Sequence, residues 1–475
     1  MKSESSPKRE HGVKKMRAPS RWWFITLAAS RVFAAADYGV CWTRNGVASL
    51  NATALEGKLA GVWLSATLLR RGDPALRTCL VTDAPAALAR RALDATSARA
   101  GEAPGLIGLV VAARAWSVGR GRGGRHDDAR WAAARSALGR LAPSDALARF
   151  ESRAARLLSF LAPPFATTLF VDDDTAFCGA GVGAFLGALH ASEDLRRVDV
   201  FLTKEKETHG DARGPERALS ASPRCAPACA RKTAAAMAPR DAAACVVCRM
   251  AAAMTPGRGA CPGLDVDARW AQAGAMVARR TNGTRAFVGD WLDGFLKYHL
   301  YHPGWHGDAI DPSTKHPDRV AGREFGRDQP PLDKLLAAAC AATASRRAWT
   351  LGKLPAALNV RKANAQPVLV WGKHVTLHTK QLTTNARPVE SRGLALAADA
   401  CRVATADAAW RLLAMPESTA SRNLAQLPCT ATADGLLGAA PYGTAEKGAR
   451  LVWNMAAEVA DLLRERRSGR CVWDG

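Results

Sequence analysis

Three consecutive carboxylates, Asp172, Asp173 and Asp174, follow the apolar run Thr167-Thr168-Leu169-Phe170-Val171. Like charges at close range repel, so three kept side by side call for a chemical reason. Side chains alternate along an extended backbone, which sets Asp172 and Asp174 on one side and Asp173 on the other. Two carboxylates on one side at the open end of a buried strand form a hard-oxygen site for Mg2+ or Mn2+. Such an ion keeps positions for water and substrate phosphates, and as a Lewis acid it neutralises charge on a departing diphosphate. The plainer alternative is an acidic loop that caps the next helix.

The elements around this triplet follow from hydrophobic spacing. Residues 38–43, 79–83, 106–111, 167–171 and 198–202 read as short buried strands. Between the first two, Leu55, Leu59, Val62, Trp63, Ala66 and Leu69 recur at helical spacing over residues 54–71, and Gly72-Asp73-Pro74 is a stop signal. A second helix is expected over 146–161, ended by Pro163-Pro164. Near-continuous apolar strands alternating with helices predict an α/β fold with a mostly parallel sheet covered on both faces. Ligands of such sheets bind beyond the carboxyl ends of the strands. Thr43, Asp83 and the Asp triplet stand at three such ends.

Composition narrows the partners. A formal charge of +23 over 475 residues could attract nucleic acid, but the Arg residues are scattered among Ala and Gly along the whole length. The densest basic stretch, residues 114–140, offers only Trp116 and Trp131 for stacking on bases. It reads as a solvated loop, and no nucleic-acid partner is expected. Of the 12 cysteines, five cluster as Cys225, Cys229, Cys245, Cys248 and Cys261. Their order, C-x3-C and then C-x2-C, suits disulfides, a zinc ribbon or free thiols, with no His at ligand spacing among them. Residues 204–262 show little hydrophobic periodicity and read as a cysteine-rich insertion.

A basic stretch, the short apolar core 22–30 and the small-residue run Ala34-Ala35-Ala36 have the three parts of a secretory signal, better formed if translation begins at Met16. A buried N-terminal helix is the alternative reading. The apolar core is too short to span a bilayer, although membrane association through this segment is compatible with it. Asn51-Ala52-Thr53 and Asn282-Gly283-Thr284 are glycan acceptor sequons, meaningful in a secreted chain. Residues 386–475 are Ala-rich and helix-prone, with 445–467 the best helix.

The run Pro164-Phe165, Thr168-Leu169-Phe170 and Asp172-x-Asp174-Thr175 resembles the signature of nucleotide-diphospho-sugar transferases of the GT-A fold, the DxD glycosyltransferases. Further matches follow in the family's order over residues 38–385. Arg156 stands where a basic residue approaches the donor diphosphate. Gln272-Ala273-Gly274 resembles the strand bordering the sugar, with Gln272 for the usual Asn. Asp328-Gln329 resembles a helix start beside the transferred sugar, and Leu354-Pro355 to Asn359 a later loop; residues 369–378 resemble a last strand with two candidate metal ligands, His374 and His378, of which His378 follows the apolar pair Val375 and Leu377 at the strand end.

The resemblance implies a GT-A, Rossmann-like sheet whose nucleotide-binding half is 38–203 and whose acceptor half is 263–385, after a basic N-terminus at 1–37. It implies a metal held by Asp172, Asp174 and His378. Thr43, Asp83, Arg156, Asp173, Gly274 and Asn359 would contact the nucleotide sugar, with Asp328, Gln329 and Gln272 at the transferred sugar. The expected activity is metal-dependent transfer, with Mn2+ or Mg2+, from a nucleotide-diphosphate sugar, UDP-sugar above all. The acceptor is a glycan, protein or other hydroxyl, and the likeness is closest to retaining glycogenin-like and plant wall-polysaccharide transferases. The Golgi lumen is the expected compartment. A non-catalytic sugar-binding relative is the alternative. A haloacid-dehalogenase-like phosphatase also carries Asp-x-Asp after a buried strand, but needs Thr or Val where this chain has Ala176.

Overall fold

The protein is described by a computed structural model that covers residues 37–113, 144–204, 225, 229, 238–254, 264, 271–301, 327–341, 347–355, 358–359 and 375–378. The basic stretch 114–140, the segment 1–36 and the candidate helix 445–467 lie outside these residues, as does Cys261.

Nine strands are described: β1 Tyr38–Arg44, β2 Arg77–Thr82, β3 Leu109–Ala112, β4 Thr167–Val171, β5 Thr175–Cys178, β6 Val200–Lys204, β7 Ala271–Arg279, β8 Leu351–Lys353 and β9 Val375–His378. Seven helices are described with them: α1 Ala52–Gly72, α2 Ala86–Ala100, α3 Ser144–Phe160, α4 Val182–Ala191, α5 Pro239–Ala253, α6 Asn282–Tyr301 and α7 Gln329–Ala341. Seven strands form one sheet in the order β3-β2-β1-β4-β7-β6-β8, and β5 pairs with β9 in a separate ribbon. Every pairing in the large sheet is parallel except those of β7, which runs against both β4 and β6. The fold is mixed α/β, with a mostly parallel sheet between two helical layers.

Alternation along β1 shows why both faces need cover. Val40 and Trp42 enter one core, and Cys41 enters the other. Helices α1, α2, α4 and α5 close the first core, and α3, α6 and α7 the second. Each fully buried Leu or Phe in these layers contributes about 1.5–3 kcal/mol relative to exposure. Indole groups in the first core are satisfied: Trp42 Nε1 donates to Ser65 at 2.9 Å and Trp63 Nε1 to Ser97 at 3.0 Å.

Helix boundaries follow local chemistry. Asn51 caps α1, its side chain accepting from Ala54 N at 2.9 Å, so the helix begins at Ala52, ahead of the range 54–71 expected from apolar spacing. Gly101 ends α2 in the left-handed region at φ 71°, where a side chain would be strained. Asp73 follows α1 and accepts from Gly181 N and Val182 N, both at 3.0 Å, which fixes the start of α4.

Three expectations are corrected. Residues 106–111 do not form a buried strand: β3 begins at Leu109, on the sheet's edge, and Leu109 itself is exposed. Leu106 and Ile107 are buried all the same, because Thr78 donates to Leu106 O at 2.8 Å and accepts from Gly108 N at 3.0 Å, holding that loop inward. Strand β6 begins at Val200 rather than at residue 198, since Asp199 is drawn into a corner of polar contacts described below. The third correction concerns 204–262. Its described part is the helix α5, whose Ala242, Ala243, Val246 and Val247 are buried in the first core against α4. Their spacing is helical, and alanine's small apolar surface had hidden it.

The cysteine alternatives resolve toward disulfides. Cys225 pairs with Cys248 and Cys229 with Cys245, so two cysteines that precede α5 are each bonded to it. The spacing of three residues puts Cys245 and Cys248 on one face of α5, which lets both bonds form side by side. Cys41 and Cys79 are directly opposed on β1 and β2 and are also bonded. Cys178 and Cys340 are disulfide-bonded as well, and among the described residues no cysteine is free.

Candidate functional site at the carboxyl ends of the strands

From β1 the chain proceeds through α1 to β2 and then to β3, and it returns past β1 to form β4. The direction of the connections therefore reverses between β1 and β4. Beyond the carboxyl ends of two such strands the following loops turn apart and open a crevice. Arg44 ends β1, and the Asp triplet follows β4.

The triplet is a turn, not a continuation of the strand. β4 stops at Val171, Asp173 and Asp174 form a turn, and β5 starts at Thr175. The simple alternation expected for the three side chains therefore does not apply, yet their partners still separate them. Asp172 forms an ion pair with Arg156, while Asp173 takes Arg44 across the crevice, Nη1 to Oδ2 at 2.5 Å. Asp174 is buried. Burial raises the Asp173 carboxyl to about 6; the Arg44 guanidinium opposes this, and the charges of Asp174 and Asp172 add to it.

Arg156, only 7% exposed, is the hub. From α3 it reaches Asp172 after β4, Asp328 at Nη1 to Oδ2 3.0 Å, and the Ala273 carbonyl of β7 at 2.9 Å. Arg153, one turn earlier on α3, lies 3.8 Å from the same Asp328 oxygen. The Asp328 carboxylate pushes the Arg153 guanidinium above its usual range, against burial and with the triplet's help, so it stays cationic. Trp291 of α6 fixes the backbone of Asp328, Nε1 to O at 2.9 Å. Four carboxylates and three guanidiniums thus meet at one end of the sheet, drawn from β1, α3, the β4–β5 turn and the start of α7.

Strand β7 forms the far wall. Its pairing with β6 shifts register between Leu202 and Thr203, and Gly274 lies in the displaced stretch, where its carbonyl accepts from Asp172 N at 3.2 Å. Bulges of this kind re-aim backbone beside sites. Gln272, 2% exposed, accepts from Asn359 Nδ2 at 3.0 Å, and the same amide donates to Thr203 Oγ1 at 2.8 Å. Gln329 donates to the Ala271 carbonyl at 2.6 Å and accepts from Ala273 N at 3.5 Å. Gln329 and Asn359 therefore hold β7 in place, through its backbone and through Gln272.

Of the residues singled out from sequence, Arg156, Asp172, Asp328 and Gly274 come into direct contact around Arg156 and β7. Asp83 stands apart: its two oxygens accept from Gly46 N at 2.7 Å and Val47 N at 3.0 Å, tying down the loop after β1. Thr43 is half-buried one residue before Arg44. His378 is described by its backbone, which pairs with Thr175, the residue after Asp174. Sequence reasoning missed Arg44 and passed over Arg153. The signal for Arg44 was its place at a strand end, but its partner depends on β1 lying next to β4.

In donor chemistry the residues fit a hard divalent cation. Asp172 and Asp174 supply carboxylate oxygens, and β9 brings the His378 backbone to the adjoining residue. Among the described residues, which leave out the His378 side chain, no group of three or more His, Cys, Asp or Glu is arranged to hold a metal ion. Also among them, no helix is long and apolar enough to cross a membrane.

No family model and no curated protein sequence matches the chain.

Proposed function

We propose that the chain is a metal-dependent glycosyltransferase of the GT-A fold. On this reading it moves a sugar, with retention, from a nucleotide-diphosphate sugar such as a UDP-sugar to a hydroxyl of a glycan or glycoprotein. The observation that carries the reading is the convergence on Arg156 of Asp172 and Asp328, from parts of the chain far apart, at the reversal point of the sheet. Metal-diphosphate chemistry needs carboxylates, a cation and an open strand end together, and that is where ligands of such sheets bind.

Asp172 and Asp174, with His378, would hold Mn2+ or Mg2+, which when bound supplies a Lewis acid for the leaving diphosphate. Arg156 orients Asp172 through their ion pair and ties it to Asp328, so both carboxylates are placed before substrate arrives. Arg44 and Arg153 add positive charge on either side of the triplet, which favours a diphosphate. Asp328, beside Arg156 and Arg153, is the carboxylate suited to steady cationic character at the anomeric carbon. The disulfides are compatible with the lumen of the secretory pathway.

The test is a panel of nucleotide sugars with Mn2+ or Mg2+, reading free nucleotide. Release should depend on the metal, vanish with chelator, and fall at least about a hundredfold in Asp174→Ala, the scale of losing a charge-stabilising group. The melting temperature of that variant should stay near that of the parent. Full activity in Asp174→Ala would sink the reading.

A further inference from the structure

We propose that Asn51 is a site of N-linked glycosylation, taking an oligosaccharide from a polyprenol-diphosphate donor. Asn51-Ala52-Thr53 is an acceptor sequon with no proline in the middle. All three residues are exposed, and Asn51 has extended backbone angles, φ −71° and ψ 171°. Its side chain is held in one pose: Oδ1 accepts from Ala54 N at 2.9 Å as the cap of α1. The cap uses only that oxygen, which leaves the amide nitrogen of an exposed residue outside the bond.

Glycosylation at Nδ2 leaves Oδ1 an acceptor, so the cap survives modification. In the reaction Nδ2 forms a bond to the anomeric carbon while that carbon's bond to the diphosphate breaks. The polyprenol diphosphate leaves with the bonding electrons, and one amide proton passes to a base of the transferring enzyme. No oxidant or reductant is involved.

A second, independent observation bears on where the chain matures. Cys41 and Cys79 are both fully buried in the middle of the sheet and disulfide-bonded, and two further disulfides tie α5. Such bonds persist in oxidising compartments, which are also where sequons are modified. The other sequon differs. Asn282 is exposed, but Thr284 is wholly buried and donates to Asp199 O at 3.0 Å. A Cβ added at Gly283 would meet the Asp199 carboxylate at 2.1 Å. The proposal is confined to Asn51.

The experiment is secretion of the full chain from eukaryotic cells with its own N-terminus. Enzymatic glycan release in heavy-oxygen water should then convert Asn51 to labelled Asp, read by peptide mass spectrometry. Asn51→Asp keeps a capping oxygen and Thr53→Ala leaves the cap untouched, so both should fold and lose one glycan; Thr53→Ser should retain it. An unmodified Asn51 in the parent chain, or a glycan persisting on Asn51 in Thr53→Ala, overturns the proposal.

Discussion

The molecule holds two acidic sites at opposite ends of its sheet, and they are built on different principles. At the amino ends of β6 and β8, Asp199 is a single carboxylate; burial lowers the pKa of the Arg279 guanidinium, and Asp199 is close enough to oppose that shift. It accepts from Thr281 Oγ1 at 2.6 Å, Thr350 N at 2.8 Å and Thr350 Oγ1 at 2.8 Å. These are neutral donors from the residues flanking neighbouring strands, and they tie the corner of the sheet with one carboxylate. At the carboxyl ends, four carboxylates crowd around three guanidiniums, and Asp173 is raised to about 6 by burial and like charge. A carboxylate that serves only the fold is satisfied by hydrogen-bond donors at little electrostatic cost. A cluster that keeps like charges together spends stability, and it is retained where charge is to be met by a ligand.

Urea unfolding, nucleotide binding and melting temperature as a function of pH each test that contrast. The largest effect is expected for Arg156→Ala, which leaves Asp172 and Asp328 without their buried cation. It should lower the unfolding free energy by about 3–5 kcal/mol, the usual cost of breaking a buried pair. It should also abolish metal-dependent nucleotide binding, because Asp172 loses the ion pair that orients it. Asp199→Ala strands several donors and should cost about 1–3 kcal/mol while leaving nucleotide affinity unchanged. If it weakened binding as much as Arg156→Ala, the two ends would not be functionally distinct.

The smallest effect is a pH dependence. Because Asp173 titrates at about 6 in the folded chain, above its unfolded value, the folded form holds a proton that the unfolded form releases. Its contribution to stability is therefore full below the unfolded value of about 3.9 and is lost as pH rises through the folded one. The difference in melting temperature between the parent and Asp173→Asn should shift against the parent as pH rises across that window. A pH-independent difference would mean that Asp173 is not perturbed.

How much of this was legible in the chain can be judged element by element. β1, α1, β2, β4 and most of α3 lie within a few residues of their expected places, because each has a complete local signal of apolar period, cap and stop. No expectation covers α2, β5, α4 or β8; β5 and β8 are only four and three residues long. Helix α5 carries no readable period because Ala242 to Cys248 is an unbroken run of small apolar residues with no polar face to set against it.

By itself, the sequence determined that a buried strand ends in three carboxylates, and that basic and acidic residues occur at other element ends. It did so because strand termini and helix faces are written in spacing over a handful of residues. Tertiary structure alone decided which charges meet. Arg44 and Asp173 are 129 residues apart, and Arg156 and Asp328 are 172 apart. Asp83, at another strand end, accepts from two amides of the loop after β1, 36 and 37 residues before it. The antiparallel course of β7 and the pairing of the cysteines were settled in the same way. Each depends on backbones brought within a few ångströms by the packing of the whole sheet, and no local periodicity encodes such a distance.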